Sequence, residues 1–95
     1  MRRTACGGAV ISFEETAFTE YWQWAEEDKK IFGKINKLIT EILRDPFHGT
    51  GKPEPLKGNL SGHWSRRITH EHRLVYKVFP DNVVVVSCRY HYSKT

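Results

Sequence analysis

The sequence has few cysteines and no long apolar run. Cys6 and Cys88 are the two cysteines among 95 residues. They are too few for the disulfide framework of a small secreted domain, so we expect two reduced thiols in a cytoplasmic protein. No apolar stretch approaches the roughly 18 residues of a membrane span, and no membrane partner is expected. Residues 1–8 lack the apolar stretch of a signal peptide, so we predict a flexible extension there and a single domain over residues 9–95.

Acidic residues are scarce in the second half of the chain. Residues 1–45 carry seven Lys/Arg and eight Asp/Glu, a net charge of -1, whereas residues 46–95 carry eight and three, a net charge of +5. All five histidines also lie in the second half. Solvated lysines are the default explanation of such charge alone, but a basic surface on half of a small domain also suits a polyanionic partner.

Apolar residues at helical spacing predict two helices in the first half. A short apolar run over residues 9–13 predicts a strand before them. The first helix covers about residues 15–26, and its predicted buried face consists of Phe18, Tyr21, Trp22 and Ala25. The second helix begins at its N-cap, Asp28, and ends before Pro46. Its predicted core residues are Ile31, Ile35, Leu38, Ile39 and Ile42.

The second half of the chain changes from loop residues to strand residues. Residues 46–62 hold three prolines and four glycines, too many for a helix or a central strand. Turn residues near positions 70–72 and 80–82 then separate three predicted strands and favour antiparallel pairing. The strands cover about residues 64–69, 73–78 and 83–88. We therefore predict an α+β fold, with two helices packed on one face of a mainly antiparallel twisted sheet and a site on the other face.

Three segments carry a resemblance to a known family. They read GKPEPLKGNLSG (residues 51–62), WSRRITHEHRLVY (64–76) and CRYHY (88–92). In order and spacing they resemble the YoeB-type (Txe/YoeB) toxins of bacterial toxin-antitoxin pairs, within the RelE superfamily. The resemblance implies a RelE-like, microbial-ribonuclease-like fold and a toxin that cuts mRNA in the ribosomal A site. It implies no cofactor.

The resemblance also implies partners and residue roles. Glu54 is the implied general base, His91 the general acid and Arg73 a stabiliser of the phosphate. The implied substrate-binding residues are Lys57, Arg67 and Tyr92. The implied partners are the ribosome, mRNA and an antitoxin of the YefM type, with operator DNA contacted through that antitoxin and a homodimer among the alternatives for assembly.

The residue chemistry agrees with these roles. RNA cleavage without a metal uses the neighbouring 2′-hydroxyl as the nucleophile, so it needs a base, an acid and cations that stabilise charge on the phosphoryl oxygens. Pro53 and Pro55 restrict the backbone on either side of Glu54. We expect His91 near the end of the last strand, on the same side as Ser87 and Arg89, and able to carry a proton near neutral pH.

Strand alternation predicts the sheet face of each neighbouring arginine, whereas the packing of the tryptophans is predicted less fully. Arg66 and Arg67 must point to opposite faces of a regular strand, so at most one of them faces RNA directly. We expect Trp22 and Trp64 in the core, whereas Trp24 is undecided between packing and stacking on a base.

Each proposed role has a simpler alternative. Glu54 could be a solvated loop residue, and His91 an exposed terminal histidine. Arg73 could form a cross-strand ion pair with Glu71 or another carboxylate. His70 and His72 lie two residues apart, which is not the spacing of a helical zinc motif, so we predict no metal site. Two rival functions remain: a non-catalytic module that binds an antitoxin and acts in transcriptional co-repression, and a ribonuclease that needs no ribosome.

Overall fold

The computed structural model describes residues 10–90 of the chain. Two helices follow a first strand, and four further strands complete the fold. In chain order the elements are β1 (Val10–Phe13), α1 (Glu15–Glu27), α2 (Lys29–Arg44), β2 (Glu54–Pro55), a 3₁₀ turn (Gly58–Leu60), β3 (His63–Arg67), β4 (Arg73–Phe79) and β5 (Asn82–Ser87). The predicted extension over residues 1–8 lies outside the described residues.

The boundary between the helices matches the sequence prediction. The Asp28 carboxylate accepts hydrogen bonds from the backbone N–H groups of Lys30 and Ile31, which confirms Asp28 as the N-cap of α2. The helix ends at Arg44, before the Asp45–Pro46 pair, as predicted. Its buried residues are Ile35, Leu38, Ile39 and Ile42, and Ile31 packs against them half-buried.

The predicted buried face of α1 is wrong by about one residue. Trp22 is 54% exposed, and Phe18 is also exposed. Instead Ala17 and Trp24 are buried, with Tyr21 half-buried against the core. A shift of one residue corresponds to a rotation of about 100° around the helix axis. Trp24 is buried in place of Trp22 because its indole N–H donates a hydrogen bond to the Cys88 carbonyl at 2.9 Å.

The sheet has the strand order β1-β5-β4-β3-β2. The β1–β5 pair is parallel, and the other three pairs are antiparallel, which confirms the mainly antiparallel sheet. Helix α1 packs on β5 and β1, and α2 packs on β1. The sheet residues that join the helices in the core are Leu74, Tyr76, Val83 and Val85. Trp64 packs against this core half-buried and contacts Phe47.

Alternate residues of the same strands point away from the core, as the two-residue repeat of a strand requires. We call this side the open face; it carries His63, Ser65 and Arg67 of β3 and Arg73, Val75 and Lys77 of β4. A register shift between Val75 and Tyr76 adjusts the pairing of β4 with β5. Neither helix within residues 10–90 has the length and apolar character needed to cross a membrane.

Candidate active site on the open face

Strand register brings three of the predicted site residues to the open face. Ser65 pairs with Glu54 on one side and with Val75 on the other. In the next row Arg67 pairs with Arg73. Side chains of directly paired residues share a face, and neighbouring strands lie about 4.8 Å apart. Arg73 is two strands and one two-residue row away from Glu54, so their backbones are separated by about 12 Å. Glu54, Arg67 and Arg73 therefore share the face that also carries the buried Ser65 and Val75.

Glu54 occupies an edge strand of two residues, and its side chain is exposed. The loop before it is fixed to β3, because Arg67 donates its backbone N–H to the Gly51 carbonyl. Gly51 has a φ of 88°, and a Cβ there would lie 3.0 Å from the Arg67 carbonyl oxygen, so only glycine allows this close approach. On the other side of Glu54, the Leu56 N–H donates to the His63 carbonyl at 2.9 Å. The backbone on both sides of Glu54 is thus anchored to β3.

Arg66 points to the opposite face from Arg67, as predicted. Its side chain is fully buried, and its Nε donates to the Tyr76 hydroxyl at 3.1 Å. The guanidinium also ties the end of α2 and the following loop to β3. Its other acceptors are the Glu41 carboxylate and the backbone carbonyls of Asp45, His48 and Thr50. Arg66 is therefore a structural clamp, whereas the exposed Arg67 is available to a ligand.

The acid stability of the protein should depend on Glu41. Hydrogen bonds from the Thr50 backbone N–H and then the Thr50 hydroxyl, with help from Arg66, lower the pKa of Glu41 below its ordinary 4.5. A folded-state pKa below the unfolded one gives a stabilisation that is complete above pH 4.5 and is lost as the pH falls through the lowered pKa. We expect Glu41→Gln to narrow the difference in urea-unfolding free energy between neutral and acidic pH.

The matched control for that measurement is Glu26→Gln, an exposed carboxylate on α1. Its unfolding free energy should follow the wild-type pH dependence. Identical pH curves for wild type and Glu41→Gln would contradict a stabilising role for the Glu41 carboxylate.

Arg73 is half-buried at the start of β4. Its Nη1 donates to the carbonyls of Thr69, His70 and His72 at 3.0 to 3.2 Å, so the turn before β4 holds the guanidinium in place. Among residues 10–90 it forms no ion pair with Glu71 or with another carboxylate. The ion-pair alternative for Arg73 is therefore wrong within that part of the chain.

The described chain ends beside Arg73. Arg73 donates its backbone N–H to the Tyr90 carbonyl at 3.1 Å, and Tyr90 donates its own N–H to Nδ1 of His72 at 2.7 Å. Strand β5 stops at Ser87, and Tyr90 has a φ of 62°. Regular strand alternation therefore ends at Ser87 among the described residues, and the predicted side of His91 stays a prediction. His91 and Tyr92 themselves lie outside the described residues.

Lys57 is exposed and lies two residues beyond β2, next to the 3₁₀ turn. It is therefore close in sequence to Glu54, but no register pair joins it to the row of Arg67 and Arg73. Within residues 10–90, no group of three or more His, Cys, Asp and Glu side chains is arranged to hold a metal ion. Metal independence stays a prediction.

The two residues that sequence reasoning missed are Arg66, as the loop clamp, and His72. His72 is buried between the rings of Trp24 and Tyr90. The neighbouring Arg73 draws attention to this segment of the sequence. The contact of His72 with Tyr90, however, joins residues 18 positions apart, so no local sequence pattern predicts it. Cys88 is a free, buried thiol, whereas Cys6 lies outside the described residues. Burial, followed by the nearby Glu20 carboxylate, raises the pKa of Cys88 to about 12.

The protein is a small α+β protein in which two helices cover one face of a five-stranded sheet. The other, open face carries a carboxylate and arginines and is basic. Residues 13–92 match the family described as YoeB-like toxin of bacterial type II toxin-antitoxin system. The chain belongs to this family, which confirms the resemblance drawn from its motifs.

Relatives agree across nearly their full length. The chain is 58% identical over 82 residues to "Toxin YoeB" of Escherichia coli strain K12, covering 86% of this chain and 98% of the relative. It resembles the YoeB dimer from Staphylococcus aureus with a TM-score of 0.83 and 48% identity, covering 90% of this chain and 99% of the other. The heterotetrameric YoeB-YefM toxin-antitoxin complex from Staphylococcus aureus matches with a TM-score of 0.82 and 48% identity, over 88% and 98% of the chains.

Proposed function

We propose that this toxin is an endoribonuclease that cleaves mRNA in the ribosomal A site and thereby inhibits translation. The supporting observation is the placement of Glu54, Arg67 and Arg73 on one open face, with the described chain ending beside Arg73. His91 follows one residue after that end in the sequence. A base, an acid and two cations are the groups that metal-independent RNA cleavage needs.

The proposed reaction is an internal phosphoryl transfer. Glu54 removes the proton of the 2′-hydroxyl, and the 2′-oxygen forms a bond to phosphorus. The bond from phosphorus to the 5′-oxygen breaks, and His91 protonates that leaving oxygen. Arg73 and Arg67 stabilise the negative charge on the non-bridging oxygens, for which a planar guanidinium offers two parallel donors. The products are a 2′,3′-cyclic phosphate and a downstream fragment with a 5′-hydroxyl.

Lys57 and Tyr92 complete the proposed substrate-binding set. Lys57 contributes a point charge near Glu54, and Tyr92 follows His91 in the sequence. The net charge of +5 over residues 46–95 adds a general attraction for RNA, which should weaken as salt rises.

The partner that silences the toxin is proposed to be a YefM-type antitoxin. The relative from Staphylococcus aureus is seen both as a YoeB-YefM complex and as a YoeB dimer, and both assemblies are proposed here. We expect an acidic or amphipathic antitoxin segment that folds over the basic face, with operator DNA contacted through the antitoxin. The proposed location is the cytoplasm, where ribosomes and mRNA are present.

The ends of cleaved mRNA test the reaction class. We expect mRNA cleavage with ribosomes and little cleavage without them, and a 5′-hydroxyl on the downstream fragment. The products should stay the same after divalent ions are chelated. The chelator is used at a level at which sedimentation shows that the ribosomes are intact. Ligation-based mapping of 5′-hydroxyl and 5′-phosphate ends, run in parallel, measures all three.

Each other outcome has a defined meaning. A downstream 5′-phosphate would rule out attack by the 2′-hydroxyl. Equal cleavage without ribosomes would favour a free ribonuclease. Antitoxin binding without any cleavage would favour the non-catalytic module that acts in co-repression.

A further inference from the structure

We propose that His72 is a positioning residue that orients the segment leading into His91, an inference that rests on the proposed acid role of His91. His72 is only 8% exposed, and its Nδ1 accepts the Tyr90 N–H at 2.7 Å. An accepting Nδ1 carries no proton, so this contact places the ring proton of neutral His72 on Nε2. Nε2 in turn lies 3.8 Å from a carboxylate oxygen of Glu71.

Residues 88–90, which follow β5, depend on such contacts because no register pair of the sheet includes them. The Cys88 N–H donates to Glu20, and the Cys88 carbonyl accepts from the Trp24 indole. The Tyr90 N–H is taken by His72, and the Tyr90 carbonyl accepts from the Arg73 backbone. Four backbone groups over three residues are thus bound by specific partners instead of a sheet ladder.

Tyr90 also adopts a backbone conformation that is intrinsically unfavourable for tyrosine. Its φ of 62° is in the left-handed region, which is unfavourable for a residue with a side chain and persists where surrounding contacts determine it. His72 supplies the hydrogen bond and also packs its ring 5.1 Å from the Tyr90 ring. His72 itself is held against the ring of Trp24 at 4.8 Å.

This arrangement fixes Tyr90, the residue before His91 in the sequence, relative to Arg73. The acid must act on the same phosphate whose charge Arg73 stabilises, so the two groups need a defined separation. Misplacement of a reacting group by about 1 Å can cost about 10²-fold in rate. Loss of the His72 acceptor should therefore lower kcat while KM for the ribosome–mRNA complex changes little.

A matched pair of amides tests the proposal. In His72→Asn the side-chain oxygen takes the place of Nδ1 and can still accept the Tyr90 N–H, whereas in His72→Gln the oxygen reaches toward the place of Nε2. We expect His72→Asn to keep most of the wild-type kcat and His72→Gln to lose about 10²-fold. Hydrogen exchange of the Tyr90 amide, followed by NMR, should be slow in wild type and His72→Asn and fast in His72→Gln.

Equal kcat values and equal Tyr90 protection in the two variants would overturn the proposal. Urea midpoints confirm that each variant is folded, and His72→Leu, which packs but cannot accept, replaces His72→Gln if the latter does not fold. The exchange measurement needs no activity. A wild-type protein that cleaves no mRNA would therefore refute the proposed function, while loss of Tyr90 protection in His72→Gln would still test the His72 contact.

Discussion

Glu54→Gln should lose mRNA cleavage by about 10²- to 10⁴-fold, the scale on which a positioned general base contributes. Glutamine keeps the size and polarity of the side chain but cannot accept the 2′-hydroxyl proton. Glu54 is exposed on a two-residue edge strand, so the substitution removes no core contact. We expect an unchanged urea midpoint together with a lower single-turnover rate on ribosomes programmed with mRNA.

Glu26→Gln is the control for this variant as well, because Glu26 is an exposed carboxylate on α1 and lies outside the three motifs. It should remain as toxic in cells as the wild type. If Glu54→Gln and Glu26→Gln are equally active, Glu54 is not the general base and the base lies elsewhere. Glu71 is then the next candidate, since it is exposed in the turn before Arg73.

The helices show which structural features the sequence can predict. Helix α2 was predicted well because Asp28 caps it, Pro46 follows it, and its apolar residues repeat over three turns. The buried face of α1 was predicted wrongly because two tryptophans compete for it. Trp24 is favoured by an acceptor 64 residues away and by the Arg89 guanidinium, which stacks 4.3 Å from its ring. Such distant partners leave no trace in local periodicity.

On the open face, too, local sequence pattern predicts some features, whereas contacts between distant residues determine others. Strand alternation alone separates Arg66 from Arg67, and the register confirms it. The alignment of Glu54 with Ser65 depends on where the short β2 pairs, which Gly51 and Leu56 determine through contacts with β3. The roles of Glu54, Arg67 and Arg73 came from the family resemblance, and register explains only how they share a face.

The end of β5 was the weakest part of the sequence prediction. The apolar run predicts regular strand alternation past Ser87 toward His91, but the Glu20 carboxylate accepts the Cys88 N–H and the strand ends at Ser87. A side chain on α1 therefore ends the strand. The sequence pattern within the strand does not predict this end, because the Glu20 carboxylate that accepts the Cys88 N–H is 68 residues away.

His91→Gln should slow cleavage by about 10²-fold or more, the scale expected for loss of a general acid, while binding to ribosomes and antitoxin changes little. Glutamine retains a hydrogen-bonding group but cannot deliver a proton to the leaving 5′-oxygen. Pre-steady-state cleavage and equilibrium binding, measured on the same preparation, separate chemistry from affinity. An equal loss of binding and rate would make His91 a structural residue instead.

A modified substrate makes the assignment of the acid more specific. If sulfur replaces the bridging 5′-oxygen at the cleavage site, the leaving group is a thiolate, which departs without needing a proton. His91→Gln should then approach the wild-type rate, whereas Glu54→Gln should stay slow because the 2′-hydroxyl still requires a base. Rescue of both variants, or of neither, would contradict the division of labour between Glu54 as base and His91 as acid.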